Sequence, residues 1–180
     1  IHVLIQLNQI PDTKAREELE KVGIILLDYV PENSWIATIS GEALIPKESL
    51  AAIRWIGPIS PTDKISPALQ KKPDIPRVRK PDGQVLLQVK YFRDVPLEEV
   101  KSSLASLGVT LLREDPDFHS LKILAAEGEI ERIAREDYIQ WIEEAPPPPV
   151  PHNEGCRSNT GVNVVQGPPD NLSGAGVDAG

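Results

Sequence analysis

The chain has 180 residues and a formal net charge of −8, and 40% of its residues are hydrophobic, too many for a generally disordered protein. Its single cysteine excludes an internal disulfide and any metal site built from several cysteines. No apolar run is long enough to span a membrane. Proline is the unusual residue, because six of the 18 prolines fall in residues 58–81 and five in residues 146–151. These two clusters predict linkers that divide the chain into three parts.

The first part shows the pattern of alternating strands and helices. Its predicted elements, in chain order, are a strand at 3–7, a helix at 13–22, strands at 24–30 and 35–39, a short helix at 46–53 and a strand at 55–56. Asp12 or Thr13 can cap the first helix, and Gly23 is placed to end it in the left-handed conformation.

The second part repeats this order. Its predicted elements are a strand at 85–89, a helix at 96–107, strands at 109–113 and 120–124, a helix at 128–135 and a strand at 138–142. Gly108 takes the place of Gly23, and Trp141-Ile142 takes the place of Trp55-Ile56. Such equivalent positions lie 85 or 86 residues apart, which indicates an internal duplication.

The order β-α-β-β-α-β predicts an α+β fold: two tandem ferredoxin-like units, each a four-stranded antiparallel sheet with both helices on one face. The other face of each sheet is expected to be bare, and small units gain stability from a partner that covers it. The predicted organisation is a first unit at 1–58, a proline-rich basic linker at 59–83, a second unit at 84–145, a proline-rich tail at 146–158 and a further segment at 159–180.

Charge is unevenly distributed among these parts. The net charge is −3 over residues 1–58 and −6 over 84–145, but +3 over the linker. Acidic domains repel a phosphate backbone, so a nucleic-acid partner is not expected. The lysines and arginines of the linker are expected to be solvated and to keep it extended.

The sequence contains few candidate catalytic, metal-binding or cofactor-binding residues. The three histidines, His2, His119 and His152, are not at metal-ligand spacing, so neither a metal nor a cofactor is predicted. The adjacent acidic pairs at 98–99 and 143–144 point different ways on a helix or strand and are interpreted as surface charge. No serine has a nucleophile-elbow context, and Gly174-Ala175-Gly176 is only half of a dinucleotide-binding fingerprint.

The carboxy-terminal part of the chain carries a family resemblance. Residues 134–145 end the second unit and lead into Pro146–Pro149. This stretch resembles the closing strand and processing tail of the inhibitor-type propeptides of subtilisin-like serine proteases. Residues 160–166 and the Leu-x-Gly-x-Gly-Val run at 172–177 are similar to the first segments of the catalytic domain in that family.

The resemblance implies the function of a propeptide: an intramolecular chaperone and temporary inhibitor of a subtilisin-like catalytic domain in the same chain. The bare sheet face is then expected to pack on the protease and the tail to lie in its cleft. Ile142, Glu143, Glu144 and Ala145 are the residues expected at the inhibitory tail and processing region. The family is generally exported, which implies a secreted or extracellular parent protein.

The same resemblance implies that these 180 residues lack protease activity. The family's catalytic aspartate is expected beyond Gly180, and Asp178 falls too early to be that residue. Because the sequence opens at Ile1 without a leader, it is expected to be part of a longer chain.

Two other classes of function remain open. One is a tandem ligand-binding module, which needs a small-molecule pocket between the two sheets. The other is an interaction protein whose proline run at 146–151 docks on a partner as a polyproline II ligand.

Overall fold

A computed structural model of the protein describes residues 1–41, 46, 51–71 and 78–147. It is an α+β structure with two four-stranded antiparallel sheets, one in each repeat, which confirms the two-sheet prediction. Both sheets belong to one compact body, residues 1–146, while residues 147–180 form a second unit. The predicted helix at 46–53 is wrong at its end, because residues 51 and 52 form a turn and Ile53 begins a strand. Residues 47–50 of that prediction, most of the proline-rich tail and the whole of residues 159–180 lie outside the described residues.

The first sheet has the strand order β2-β3-β1-β4. Its elements are β1 (His2–Leu7), α1 (Thr13–Lys21), β2 (Ile24–Val30), β3 (Ser34–Ile39) and β4 (Ile53–Pro58). Asp12 caps α1 by accepting a hydrogen bond from the amide of Ala15 at 2.8 Å, as predicted. Leu19 of α1 is buried against the sheet, so the helix covers one of its faces.

The second sheet repeats this arrangement with the order β6-β7-β5-β8. Its elements are β5 (Gln84–Tyr91), α3 (Leu97–Ser106), β6 (Thr110–Asp115), β7 (Ser120–Ala126), α4 (Ile130–Arg135) and β8 (Ile139–Glu144). Val100 and Leu104 of α3 and Ile133 of α4 share one buried cluster with Leu87 and Val89 of β5. Both helices therefore cover the same face of this sheet.

One glycine ends the first helix of each repeat. Gly23 has φ of 85° and Gly108 has φ of 74°, values that residues with a Cβ adopt only with strain. These positive angles reverse the chain from helix to strand, and they confirm the role predicted for both glycines.

The segment between the repeats is structured where it is described. A 3₁₀ turn at Pro61–Lys64 leads into the short helix α2 (Pro67–Gln70), and we call residues 61–71 the strap. Proline opens both elements, because the first helical positions need no amide donor. The expectation of an extended, solvated linker is therefore wrong for the strap, whose Lys64 and Ile65 are buried.

Candidate functional site

The four residues predicted for the inhibitory tail lie at the end of β8, where the second sheet gives way to the proline run. Ile142 is 0% exposed and belongs to the core of the second repeat. Ala145 is 1% exposed, and its amide donates to the carbonyl of Leu86 at 3.1 Å, one residue beyond the end of β8. These two residues are held in the sheet in this conformation, and the chain leaves it at Pro146.

The two glutamates of β8 differ in their surroundings. Glu143 pairs in register with Gln88, and its Oε2 accepts from the indole of Trp141 at 3.0 Å. Glu144 pairs with Leu87, and its Oε2 accepts from the hydroxyl of Ser66 at 3.0 Å. The interpretation of both as simple surface charge is incomplete, because Glu144 is fixed by the strap.

The side chain of Glu144 also has a buried carboxylate oxygen, which makes its bond to Ser66 more important. The second oxygen of Glu144, Oε1, is shielded from solvent and has no hydrogen-bond partner in the described part of the chain. Burying an unpaired acceptor is costly, so the single bond from Ser66 is expected to matter for the end of β8.

The strap lies along the outer edge of β8. Ile65 forms a parallel bridge with Ile142, and the amide of Ser66 donates to the Ile142 carbonyl at 2.8 Å. Lys64, only 5% exposed, donates from Nζ to the carbonyl of Glu136 at 2.9 Å. Burial lowers the pKa of Lys64, although Asp137 and Glu136 act in the opposite direction. The strap thus extends the second sheet and protects its edge.

The open face of the first sheet is not bare. Three of its side chains, His2, Asp28 and Thr38, reach the second repeat. Gln140 donates to Asp28 at 3.1 Å, and Arg93 donates to the carbonyl of Leu27 at 2.6 Å. The second repeat therefore covers part of the face that the sequence predicted to await a separate partner.

The most polar of these contacts surrounds His2. Its ring stacks on Phe92 with centroids 4.0 Å apart, while Nδ1 lies 2.7 Å from Asp137 and Nε2 lies 3.1 Å from Asp94. The hydroxyl of Thr38 donates to Asp94 as well. Sequence reasoning missed this group, since 92 and 135 residues separate its members and no local motif joins them.

A cleft of about 400 Å³ opens between the two sheets. It is lined by Ile36 of the first sheet, by Lys90 and Trp141 of the second, and by Asp63 of the strap. A small-molecule pocket between the sheets is the feature that the alternative ligand-binding function requires. The cleft carries charged groups of both signs and an aromatic wall.

Neither a cluster of metal-ligating side chains nor a membrane-spanning helix is found among the described residues. Within ranges 1–41, 51–71 and 78–147, no three histidine, cysteine or acidic side chains are grouped as metal ligands would be. The helices in the same ranges are all too short or too polar to cross a membrane. His119 ends the turn between β6 and β7, while His152, Cys156, Gly174–Gly176 and Asp178 lie outside the described part.

Comparison with known proteins links the first repeat to a protein family. A family model described as a domain of unknown function (DUF8729) matches residues 1–60, which contain the whole of the first sheet and end just before the strap. No curated protein and no solved structure matches the chain. The match covers a third of the sequence and carries no activity with it.

Proposed function

We propose that this chain is the prosegment of a subtilisin-like serine protease, which assists folding of the catalytic domain and then inhibits it. The observation that carries the proposal is the way the chain leaves β8. A buried, hydrogen-bonded Ala145 is followed at once by the proline run, so the start of the tail is fixed relative to the second sheet. The motif-level resemblance to the family supplies the choice of enzyme.

The finer form of the fold belongs to this proposal. We assign both repeats to the ferredoxin-like class, in which two helices cover one face of a four-stranded antiparallel sheet. The strand order β6-β7-β5-β8 and the two helices of the second repeat fit that class. The first repeat has the same strand order, which supports a common origin for the two.

The tail supplies the inhibitory element. Prolines lack the amide donors that a helix needs and favour extended backbone. The 13 residues from 146 to 158 can span about 40 Å at the rise of a polyproline II helix, enough to cross from a docking surface into a cleft. There the tail would bind as an added strand, in the manner of a product. Ile142 and Ala145 hold the start of the tail in the second sheet, and Glu143 and Glu144 lie between them at the end of β8.

The open face of the second sheet supplies the docking surface. Leu86, Gln88 and Lys122 are only partly buried on this face, while Lys90 is exposed and Glu143 borders the cleft. Burial of Leu86 and of the aliphatic stems of Lys90 and Lys122 on a catalytic domain would stabilise its slow-forming, high-contact-order core as it assembles, which is how a prosegment lowers a folding barrier.

Inhibition of a mature subtilisin-like protease by the 180-residue chain tests this proposal. We expect slow, tight inhibition by the full chain and by residues 1–158, which keep the tail. Truncation after Ala145 removes the tail but leaves the compact body, so we expect its inhibition constant to rise at least 100-fold, about 2.7 kcal/mol of binding. Circular dichroism checks that each variant is folded.

Two results would contradict the proposal. One is the lack of inhibition by the full chain at micromolar concentration. The other is equal inhibition by the chain truncated after Ala145, which would remove the tail from the mechanism.

A second candidate function is a tandem ligand-binding module, and the cleft between the sheets favours it. Lys90 offers a cation, Asp63 and Glu143 offer carboxylates, and Trp141 offers a flat apolar wall. This set suits a small zwitterion such as an amino acid. A thermal-shift screen of amino acids, with Lys90→Ala as the control variant, tests it; a shift that Lys90→Ala leaves unchanged would place binding elsewhere.

A further inference from the structure

His2 joins three segments that are far apart in the chain. It lies on β1, Asp94 lies between β5 and α3, and Asp137 lies between α4 and β8. The histidine side chain is 5% exposed, and its own amide also donates to Asp137 at 2.8 Å. The stack on Phe92 fixes the plane of the ring, so both ring nitrogens are aimed at carboxylates.

This geometry is satisfied best by a protonated ring. A neutral imidazole has one N–H and one lone pair, whereas the imidazolium has two N–H donors. Nδ1 faces a carboxylate oxygen of Asp137 and Nε2 faces one of Asp94. Either neutral tautomer would point a lone pair at a negative oxygen, so deprotonation turns one attractive contact into a repulsive one.

The other groups around His2 keep the carboxylates charged. Burial opposes ionisation of Asp94, but hydrogen bonds from Thr38 and His2 outweigh it and hold the pKa of Asp94 below its usual value. Burial likewise opposes ionisation of Asp137, and the backbone and ring of His2 again outweigh it, so the pKa of Asp137 is lowered too. Both acids are therefore negative throughout the range in which histidines titrate.

Three further charged side chains lie on segments next to this group. Lys64 of the strap acts on Asp137 through space, and Glu136 lies beside the same aspartate. Arg93, next to Asp94, is directed away to the carbonyl of Leu27 and to Asp28. On β1 itself, the amino group of Ile1 donates to the carbonyl of Ile39 at 2.9 Å. These charges do not supply a second proton donor to Asp94, so the loss of the His2 proton is not compensated there.

We propose that His2, Asp94 and Asp137 form a proton-dependent latch, which docks the open face of the first sheet on the second repeat when His2 is protonated and weakens when His2 is neutral. A histidine in water loses its proton near pH 6.5, so at pH 8 closing the latch must first take up a proton and is weaker than at pH 5.5, where that proton is already bound. Below about pH 4 it weakens again, because aspartates become protonated. Docking therefore has a maximum in mildly acidic solution.

One consequence rests on the proposed function. In a prosegment, opening the latch would loosen the first repeat from the second while the strap stays on β8. Gln140 of β8 would keep its bond to Asp28, so the two repeats would stay tethered beside the strand that leads into the tail. The latch itself requires no protease, so it can be tested separately.

Hydrogen exchange measured by NMR on the full chain tests the latch. The His2 amide donates across the junction to Asp137, so its protection factor, corrected for the intrinsic rate at each pH, reports docking. We expect this factor to fall about 10-fold, and by no more than about 30-fold, from pH 5.5 to pH 8, because docking takes up at most one proton relative to a free histidine with a pKa near 6.5. The amide of Ala145, bonded to Leu86 within the second repeat, should keep its protection.

Two variants make the test specific. Asp94→Asn places an amide beside Nε2 that can donate to a neutral ring, so its His2 protection should persist to pH 8. His119→Asn removes another described histidine at a φ of 48° that asparagine tolerates, and the response of His2 should be unchanged.

Three outcomes would overturn the proposal: His2 protection constant within twofold between the two pH values, a pH response that Asp94→Asn leaves unaltered, or a response that His119→Asn abolishes. None of them bears on inhibition by the tail, so this proposal and the proposed function can fail separately.

Discussion

Substitution of Ile142 by alanine is the most direct test of how the end of β8 is held. The side chain is fully buried between β5 and the strap, where Val89 and Ile65 are its register partners. Ile→Ala removes three carbon atoms, about 0.8 kcal/mol each in transfer free energy, and the cavity left behind adds to this. We expect the free energy of unfolding to fall by about 3–4 kcal/mol.

The duplication provides a matched control. Ile56 occupies the equivalent position in the first repeat, on β4, but it is 38% exposed. Ile56→Ala should cost about 1 kcal/mol or less, since most of the removed surface already meets water. The two positions carry the same residue on equivalent strands, but they differ in burial: Ile142 lies in one cluster with Ile65 of the strap and Ile133 of α4.

Urea unfolding followed by tryptophan fluorescence measures both variants. With a slope near 2 kcal/mol per molar, Ile142→Ala should lower the midpoint by about 1.5–2 M and Ile56→Ala by about 0.5 M or less. Equal shifts in the two variants would refute the reasoning, because the difference in burial between the two side chains would then contribute nothing.

Three further predictions concern the strap and the helix ends. Lys64→Met should be at least as stable as the wild type at pH 7, and the difference between their free energies of unfolding should narrow towards pH 10. The reason is that the folded-state pKa of Lys64 is lowered, so wild-type stability rises with pH between that pKa and the pKa of the unfolded chain. Thermal melts at several pH values measure this, and a constant gap would contradict it. Ser66→Ala should cost about 2 kcal/mol in urea unfolding, because it removes the bond to Glu144 and the N-cap of α2; a cost below about 0.5 kcal/mol would show that neither bond matters. Gly108→Ala should cost about 1 kcal/mol through its positive φ alone, whereas Gly128→Ala, with open space and no positive φ, should be neutral or slightly stabilising; equal effects would argue against backbone strain.

Local patterns in the sequence were sufficient for the strands and most helices. The alternation of β1, with Val3, Ile5 and Leu7 buried, follows the period of a strand with one covered face. Gly23 and Gly108 mark helix ends because few other residues take their backbone angles. These features depend on neighbours within a few residues, which is why one sequence reveals them.

The junction and the strap depend on contacts between distant residues, and the sequence could not show them. In the sequence His2 is far from Asp94 and Asp137, and only the fold places these two carboxylates beside its ring. Lys64 looked like solvated linker charge, but its neighbours Pro61 and Ile65 turn the chain back onto β8. Proline clusters were interpreted as extended linker, although proline also opens helical turns. The roles proposed for Ile142, Glu143, Glu144 and Ala145 as a tail stay predictions.

The parallel bridge between Ile65 and Ile142 has a consequence for where the second repeat can be cut from the chain. A fragment that begins at residue 84 would leave the outer edge of β8 with unpaired backbone groups beside an apolar core. Such an edge is a template for pairing with another copy, and aggregation would follow. A fragment of the second repeat that keeps this edge covered therefore has to begin at the strap, near residue 61.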